Sequence, residues 1–269
     1  MIPNIIHFIF GLTEDFGGRP FCLIHYLAVR SAYETNHPDK IYFHHCHEPS
    51  GEWWEKAKPY VELVRVTPPT EIFGNPLLHY AHVADVLRLE ALLKYGGIYL
   101  DIDVLCLKSF APLRRFETVM GDEGGGEGLC NAVILAMPEA VFIKRWYETY
   151  RTFRSTGKTH FWNEHSVQKP LELSLEIPES IHIVSRFAFF WPHYHQFPLL
   201  FGVARHRPAL QRLFGLLAQP ANYLISKCFS YCVHLYESLW WDKYLKDLTP
   251  ESMRKMHRSF GWLFRKYLP

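Results

Sequence analysis

In the N-terminal part of the chain, short apolar runs alternate with stretches whose apolar positions recur every three or four residues. The run at 4–10, Asn-Ile-Ile-His-Phe-Ile-Phe, predicts a strand buried on both faces, and Gly11 opens a loop. Helical periodicity at 20–35 is followed by a strand-like run at 40–46, a short helix at 51–58 and a third strand at 61–66. Residues 67–76 read as a Pro-rich loop, and 79–95 as a helix stopped by Gly96 and Gly97. A short apolar run then delivers Asp101 and Asp103. Strand and helix alternating in this way predict a parallel α/β sheet. In such sheets ligands sit beyond the carboxyl ends of the strands, where Gly11, Asp101 and Asp103 fall.

The pattern weakens afterwards. Strands are predicted at 118–121 and 132–137, around a loop whose Gly124-Gly125-Gly126 suits a mobile segment or close approach of a ligand. A helix is predicted at 138–154. Residues 156–207 are rich in Trp, His, Phe and Pro and show no clear period. Helices at 208–215 and 250–267 each begin with Pro, which the first turn tolerates. With no repeat, low-complexity stretch or linker, residues 1–269 read as one domain.

The chemistry concentrates at the helix and the run after it. Asp101 and Asp103 stand at alternate positions, so on an extended backbone their carboxylates point the same way. Neighbouring carboxylates repel unless a cation joins them or one holds a proton. Hard oxygen ligands suit Mg²⁺ or Mn²⁺, and Mg²⁺ takes part of its shell from substrate phosphates. Asp85 and Arg88 are three apart on the preceding helix, nearly surrounded by Val83, Val86, Leu87, Leu89, Leu92 and Leu93. A charge pair in that setting is partly buried and needs hydrogen bonds to persist.

Composition narrows the class. Hydrophobic residues make up 48% of the chain, so it folds around a core, and a net charge of +2 argues against nucleic acid as partner. Cys22, Cys46, Cys106, Cys130, Cys228 and Cys232 are scattered without metal-site spacing, which favours a reducing compartment. His44-His45-Cys46-His47 ends a strand, so its alternate side chains diverge, and zinc is not expected there. The apolar start lacks the features of a signal peptide and no run is long enough to span a bilayer. The expectation is a cytoplasmic protein, with peripheral contact at the inner face of a membrane as an option. That option rests on residues 253–268, where Arg254, Lys255, Arg258, Arg265 and Lys266 stand beside Phe260, Trp262, Leu263, Phe264 and Tyr267. Such a helix either docks on the core or lies on an anionic membrane, with Trp262 and Phe264 inserted.

The block from Ala84-Asp-Val-Leu-Arg88 to Tyr95-Gly-Gly-Ile-Tyr-Leu-Asp-Ile-Asp103 resembles the signature of the DXD-containing sugar-transferase family. Relatives in that family include fungal Golgi mannosyltransferases, bacterial capsule and lipopolysaccharide enzymes, and the glucosylating domain of large clostridial toxins. The resemblance implies an A-type glycosyltransferase α/β fold, with a nucleotide-sugar-binding half at 1–110 and an acceptor and lid half at 111–269. It implies that Asp85, Arg88 and Asp101 hold the donor, and that Asp103, with Asp101 and His234, holds Mn²⁺ or Mg²⁺. Phe10 stands where relatives carry a base-stacking Trp. Val233-His-Leu-Tyr-Glu-Ser-Leu-Trp240 is similar to the family's closing element, which assigns His234, Ser238 and Trp240 to the diphosphate. Phe10, Tyr80, Asn131, Ser238 and Trp240 form the implied donor-binding set; Asp122 and Glu123 precede Asn131 and either face the acceptor or, for Asp122 as for Asn131, serve a turn and, for Glu123, form a solvated loop charge.

The implied function is metal-dependent transfer of a sugar from a nucleotide-diphosphate sugar, UDP-linked before GDP-linked, to a glycan or lipid-linked glycan. Surface polysaccharide is the implied destination, and retention of anomeric configuration the implied outcome. Two rivals remain at this level. A haloacid-dehalogenase-type phosphatase would use Asp101 as nucleophile, but Val104 comes one position early and a whole α/β unit precedes the motif. A non-catalytic nucleotide-sugar-binding protein would keep the same carboxylates.

Overall fold

The structure, a computed structural model, describes residues 1–202 and 208–269. Its strands are β1 (Ile5–Ile9), β2 (Lys40–His45), β3 (Glu62–Arg65), β4 (Glu71–Ile72), β5 (Asn75–Pro76), β6 (Gly97–Leu100), β7 (Val104–Cys106), β8 (Thr118–Asp122), β9 (Leu129–Ala136), β10 (His182–Val184) and β11 (Cys232–His234). Its helices are α1 (Leu23–Asn36), α2 (Glu52–Ala57), α3 (Tyr80–Tyr95), α4 (Val141–Thr149), α5 (Lys169–Glu176), α6 (Arg186–Phe189), α7 (Pro198–Phe201), α8 (Ala209–Phe229), α9 (Glu237–Trp240), α10 (Pro250–Lys255) and α11 (Ser259–Phe264).

Seven strands form one sheet in the order β10-β8-β9-β6-β1-β2-β3. The fold is α/β as expected, but the sheet is mixed rather than parallel: β9 runs antiparallel to both β6 and β8. The Pro-rich loop carries the small β4–β5 hairpin, and β11 pairs antiparallel with β7 outside the main sheet.

Alternation along the central strands divides the core. Ile6, Phe8, Ile98 and Leu100 pack with α1 and α2, while Ile9, Tyr99 and Ile134 pack with α3 and α4. His7 is buried between β1 and the end of α3. The Gly96 carbonyl only accepts, so His7 Nε2 donates to it at 2.8 Å and His7 Nδ1 accepts from His44 Nε2 at 3.0 Å. Burial pulls the two imidazoles down to about 4 and about 3, which keeps both neutral. This chain of bonds fixes the Gly96-Gly97 corner, where φ of +111° and the nearby Ile5 carbonyl leave no room for a Cβ at Gly97.

The second half departs further from the sequence pattern. Helix α8 runs on through Gly215 and Pro220, although Pro220 offers no N–H to the turn before it. The tail is two helices, separated where Met256 turns extended. Phe260, Leu263, Phe264 and Tyr267 are buried in the core with α1, and Trp262 is half-buried against Tyr223. The tail is therefore a docked closing segment. The alternative of membrane insertion through Phe264 is corrected, because that ring already has its apolar partners.

Candidate active site

Helix α3 is apolar on nearly every side, and it carries Asp85 and Arg88 with only 6% and 5% of their surface exposed. Arg88 survives there because each of its polar groups has a partner. Nη2 lies 3.1 Å from Asp85 Oδ1 and Nη1 lies 3.1 Å from Asp101 Oδ1. Nη1 also donates to the Asn131 carbonyl at 2.8 Å and Nε to the Ala84 carbonyl at 3.2 Å. The guanidinium sits 4.4 Å from the centre of the Tyr99 ring. Burial opposes the Arg88 charge, but Asp101, Tyr99 and Asp85 more than restore it and raise its pKa. Burial raises the Asp85 carboxyl against the pull of Arg88.

Beyond β6 the chain does not stay extended. The Val104 N–H donates to the Asp101 carbonyl at 2.9 Å, so the two carboxylates flank a turn. The turn, rather than strand alternation, brings them to one side. Tyr99 O–H donates to Asp101 Oδ1 at 2.6 Å. The turn leads into β7, and pairing with β11 sets His234 opposite Val104. His234 Nε2 then lies 3.4 Å from Asp103 Oδ1. Burial alone would raise the Asp103 carboxyl; the charge of His234 and the Glu237 N–H, donating to Oδ2 at 2.8 Å, hold it below its ordinary value. Burial would lower His234, and Asp103 raises it.

Asp101, Asp103 and His234 offer ligand atoms all within 4.8 Å of one another, and His234 Nδ1 has no partner of its own. Adjacent ligands on a small divalent ion with bonds of about 2.1 Å stand about 3 Å apart, so this set fits such an ion. Two carboxylates with an imidazole suit Mn²⁺ better than Mg²⁺. Cys22, His25 and Glu237 also converge. There His25 Nδ1 already accepts from the Cys22 N–H at 3.1 Å and Nε2 faces Glu237 at 3.3 Å, which leaves the ring no free lone pair.

The three ligands and Arg88 open into a cleft of about 270 Å³, also lined by Phe10, Gly11, Phe16, Arg19, Tyr80, Tyr236 and Ser238. Phe10 and Phe16 stack with centroids 5.7 Å apart. The cleft thus gathers Phe10, Tyr80, Arg88, Asp101, Asp103, His234 and Ser238 of the residues expected from sequence. Asp85 and Asn131 do not line it. They lie behind Arg88, which both of them contact, and Asn131 Nδ2 donates to Asp85 Oδ1 at 2.7 Å. Trp240 also stands apart from the cleft, stacked on Phe197 at 5.3 Å. Asp122 serves the turn, accepting from the Gly124 N–H at 2.9 Å. Glu123 is buried; burial, opposed by His234, pushes its carboxyl up to about 7.

Sequence reasoning missed Tyr99, Glu237 and His25. Tyr99 had a signal, since it is two residues before Asp101. Glu237 and His25 had none, because their contact joins residues 212 positions apart.

Residues 27–120 match the family described as glycosyltransferase sugar-binding region containing DXD motif. Glucan organizing enzyme 1 of Cryptococcus neoformans var. grubii is 36% identical over 280 aligned positions, which take in 100% of this chain and 71% of that protein. Glycosyltransferase afumC of Aspergillus fumigatus is 30% identical over 130 positions, covering 42% of this chain and 32% of its own length. Among solved structures, PaToxG glycosyltransferase is similar with a TM-score of 0.49 at 15% identity, over 98% of this chain and 87% of that chain. The family match and the 36%-identical relative overturn the phosphatase alternative, and Asp101 is engaged by Arg88 and Tyr99. The chain belongs to the family of glycosyltransferases whose sugar-binding region contains the DXD motif.

Proposed function

We propose that the protein is a metal-dependent, retaining hexosyltransferase. Its donor is a nucleotide-diphosphate sugar, UDP-linked before GDP-linked, and its acceptor a hydroxyl of a glycan or lipid-linked glycan. The observation that carries this reading is the convergence of Asp101, Asp103 and His234 beside the buried Arg88 in one cleft. Those three residues would hold Mn²⁺ or Mg²⁺, which when bound supplies positive charge to the donor diphosphate. The Phe10–Phe16 pair offers a stacking face to the base. Arg88, fixed by Asp85, Asp101 and Asn131, presents a pre-set guanidinium to the sugar. Ser238 and Trp240 belong to a segment that closes over the donor.

The cleft carboxylates support retention without an enzymic nucleophile. Asp101 is held by Arg88 and Tyr99, Asp103 by His234 and the Glu237 N–H, and Glu237 by His25 and Arg19. The acceptor oxygen therefore attacks the face from which the diphosphate leaves, and its proton passes to a phosphate oxygen of the leaving group. The relative named for glucan organisation supports a surface polysaccharide as destination.

A panel of UDP- and GDP-sugars, followed by NMR in Mn²⁺, tests the reading. Release of one sugar first in the donor's own anomeric form, stopped by chelator, is expected. Release of the opposite anomer would overturn retention. Tight donor binding with neither hydrolysis nor transfer would favour a non-catalytic binding protein.

A further inference from the structure

Helix α8 is amphipathic the wrong way round. Its buried face is polar: Gln219, Asn222 and Ser226 point inward. Asn222 Nδ2 donates to the Leu199 carbonyl at 3.1 Å and to Ser259 Oγ at 2.8 Å, and Gln219 Oε1 accepts from the Ser259 N–H at 2.9 Å. These bonds tie α8 to α7 and α11 and fix which face looks outward. That face carries Leu210, Leu213, Phe214, Leu217 and Leu224, spaced i, i+3, i+4, i+7 and i+14, each more than half exposed. Leu216 and Phe229 extend it. A row of large apolar side chains along a 21-residue helix, about 30 Å long, exceeds what a solvated surface ordinarily leaves uncovered.

Charge identifies what covers it. Along α8 the sequence holds Arg212 and Lys227 and no Asp or Glu. Two copies pairing along α8 would set helices of like net charge side by side, whereas an anionic lipid surface meets that charge with the opposite sign. Among the described residues no helix is long and apolar enough to cross a membrane. A strongly two-faced, basic helix instead lies in the interfacial plane with its apolar side in the acyl boundary. We propose that the outer face of α8 is a docking surface for an anionic phospholipid bilayer. The docking is independent of the transfer reaction. Its consequence for that reaction is positional: α8 ends at Phe229, and β11 then carries His234 into the cleft. For a lipid-linked acceptor, as proposed above, docking through α8 brings enzyme and acceptor to the same surface.

Co-sedimentation of the full chain with vesicles tests the proposal, using phosphatidylcholine alone and phosphatidylcholine with phosphatidylserine, at low and high salt. The triple variant Leu213→Gln, Phe214→Gln, Leu217→Gln removes only exposed groups, and circular dichroism checks its fold. Binding to the phosphatidylserine vesicles, weakened by salt and at least tenfold weaker in the variant, is expected, with a monomer in light scattering. Equal binding by the variant, or equal binding to phosphatidylcholine alone, would overturn the assignment. So would absence of vesicle binding by a monomer, or by a dimer that the variant dissociates. Donor hydrolysis in solution should be the same for both proteins, so loss of docking and loss of turnover are read separately.

Discussion

Arg88→Lys is the substitution that exposes the logic of the site. Lysine keeps the charge and removes the planar fork. The guanidinium meets Asp85, Asp101, the Asn131 carbonyl and the Ala84 carbonyl at 2.8–3.2 Å. An ammonium on a straight stem retains one carboxylate at most. The other carboxylate and the Asn131 carbonyl then lose charge-assisted bonds, each worth about 1.5–3 kcal/mol. Part of that returns if water enters, so the net loss is about 3 kcal/mol. With a urea slope of about 3 kcal/mol per molar for a chain of this size, the unfolding midpoint falls by about 1 M. Donor hydrolysis should fall by about 100-fold or more, the effect of losing one pre-set charged donor in a transition state. Asp85→Asn is the partner variant. Because Asp85 reaches the cleft only through Arg88, the double variant should show a coupling energy above about 1 kcal/mol. A stability loss under about 1 kcal/mol for Arg88→Lys, or strict additivity with Asp85→Asn, would refute the buried network and leave an ordinary surface ion pair.

Three further outcomes are expected. His234→Ala should weaken Mn²⁺ binding by about tenfold or more, read by electron paramagnetic resonance of free Mn²⁺; unchanged affinity would remove His234 from the ligand set. Glu123 is ionised near pH 4.5 when unfolded and only near about 7 when folded, so its contribution to stability is full below pH 4.5 and is lost as pH rises through about 7. Glu123→Gln, always neutral, should therefore gain about 3 kcal/mol over the parent above pH 7 and little at pH 4, by urea unfolding in chelator; an equal effect at both pH values would contradict the burial argument. Hydrogen exchange across residues 236–242 should slow on adding nucleotide sugar with Mn²⁺ as Trp240 leaves Phe197 for the cleft, and unchanged exchange would reject a closing segment.

The parts of the fold legible in the sequence were those written in local periodicity. Helix α3, its Gly96-Gly97 stop and the carboxylates that follow are set by spacing and by glycine's tolerance of positive φ. The direction of β9 was not legible, because an apolar strand buried on both faces looks the same either way. The sequence predicts a helix ending at Gly215, where α8 instead continues to Phe229; Gln219 and Asn222 hold the continuation through buried hydrogen bonds to Leu199 and Ser259 that no periodicity announces. At the site, the shared face of Asp85 and Arg88 was evident, but not which of them looks into the cleft. That depends on Asn131, which comes from another strand. His234 was reached through resemblance, and the β7–β11 pairing supplies the physical reason for its place.

The most direct test of the account is nucleotide binding by calorimetry, with UDP and GDP titrated into the parent chain and into Asp103→Ala, each in Mn²⁺ and in chelator. Asp103 cannot hold a diphosphate without a cation between them. The account predicts that one nucleotide binds the parent chain in Mn²⁺, and that chelator or Asp103→Ala removes the binding while circular dichroism stays unchanged. Equal affinity with and without the ion, or unaltered binding by Asp103→Ala, would contradict it.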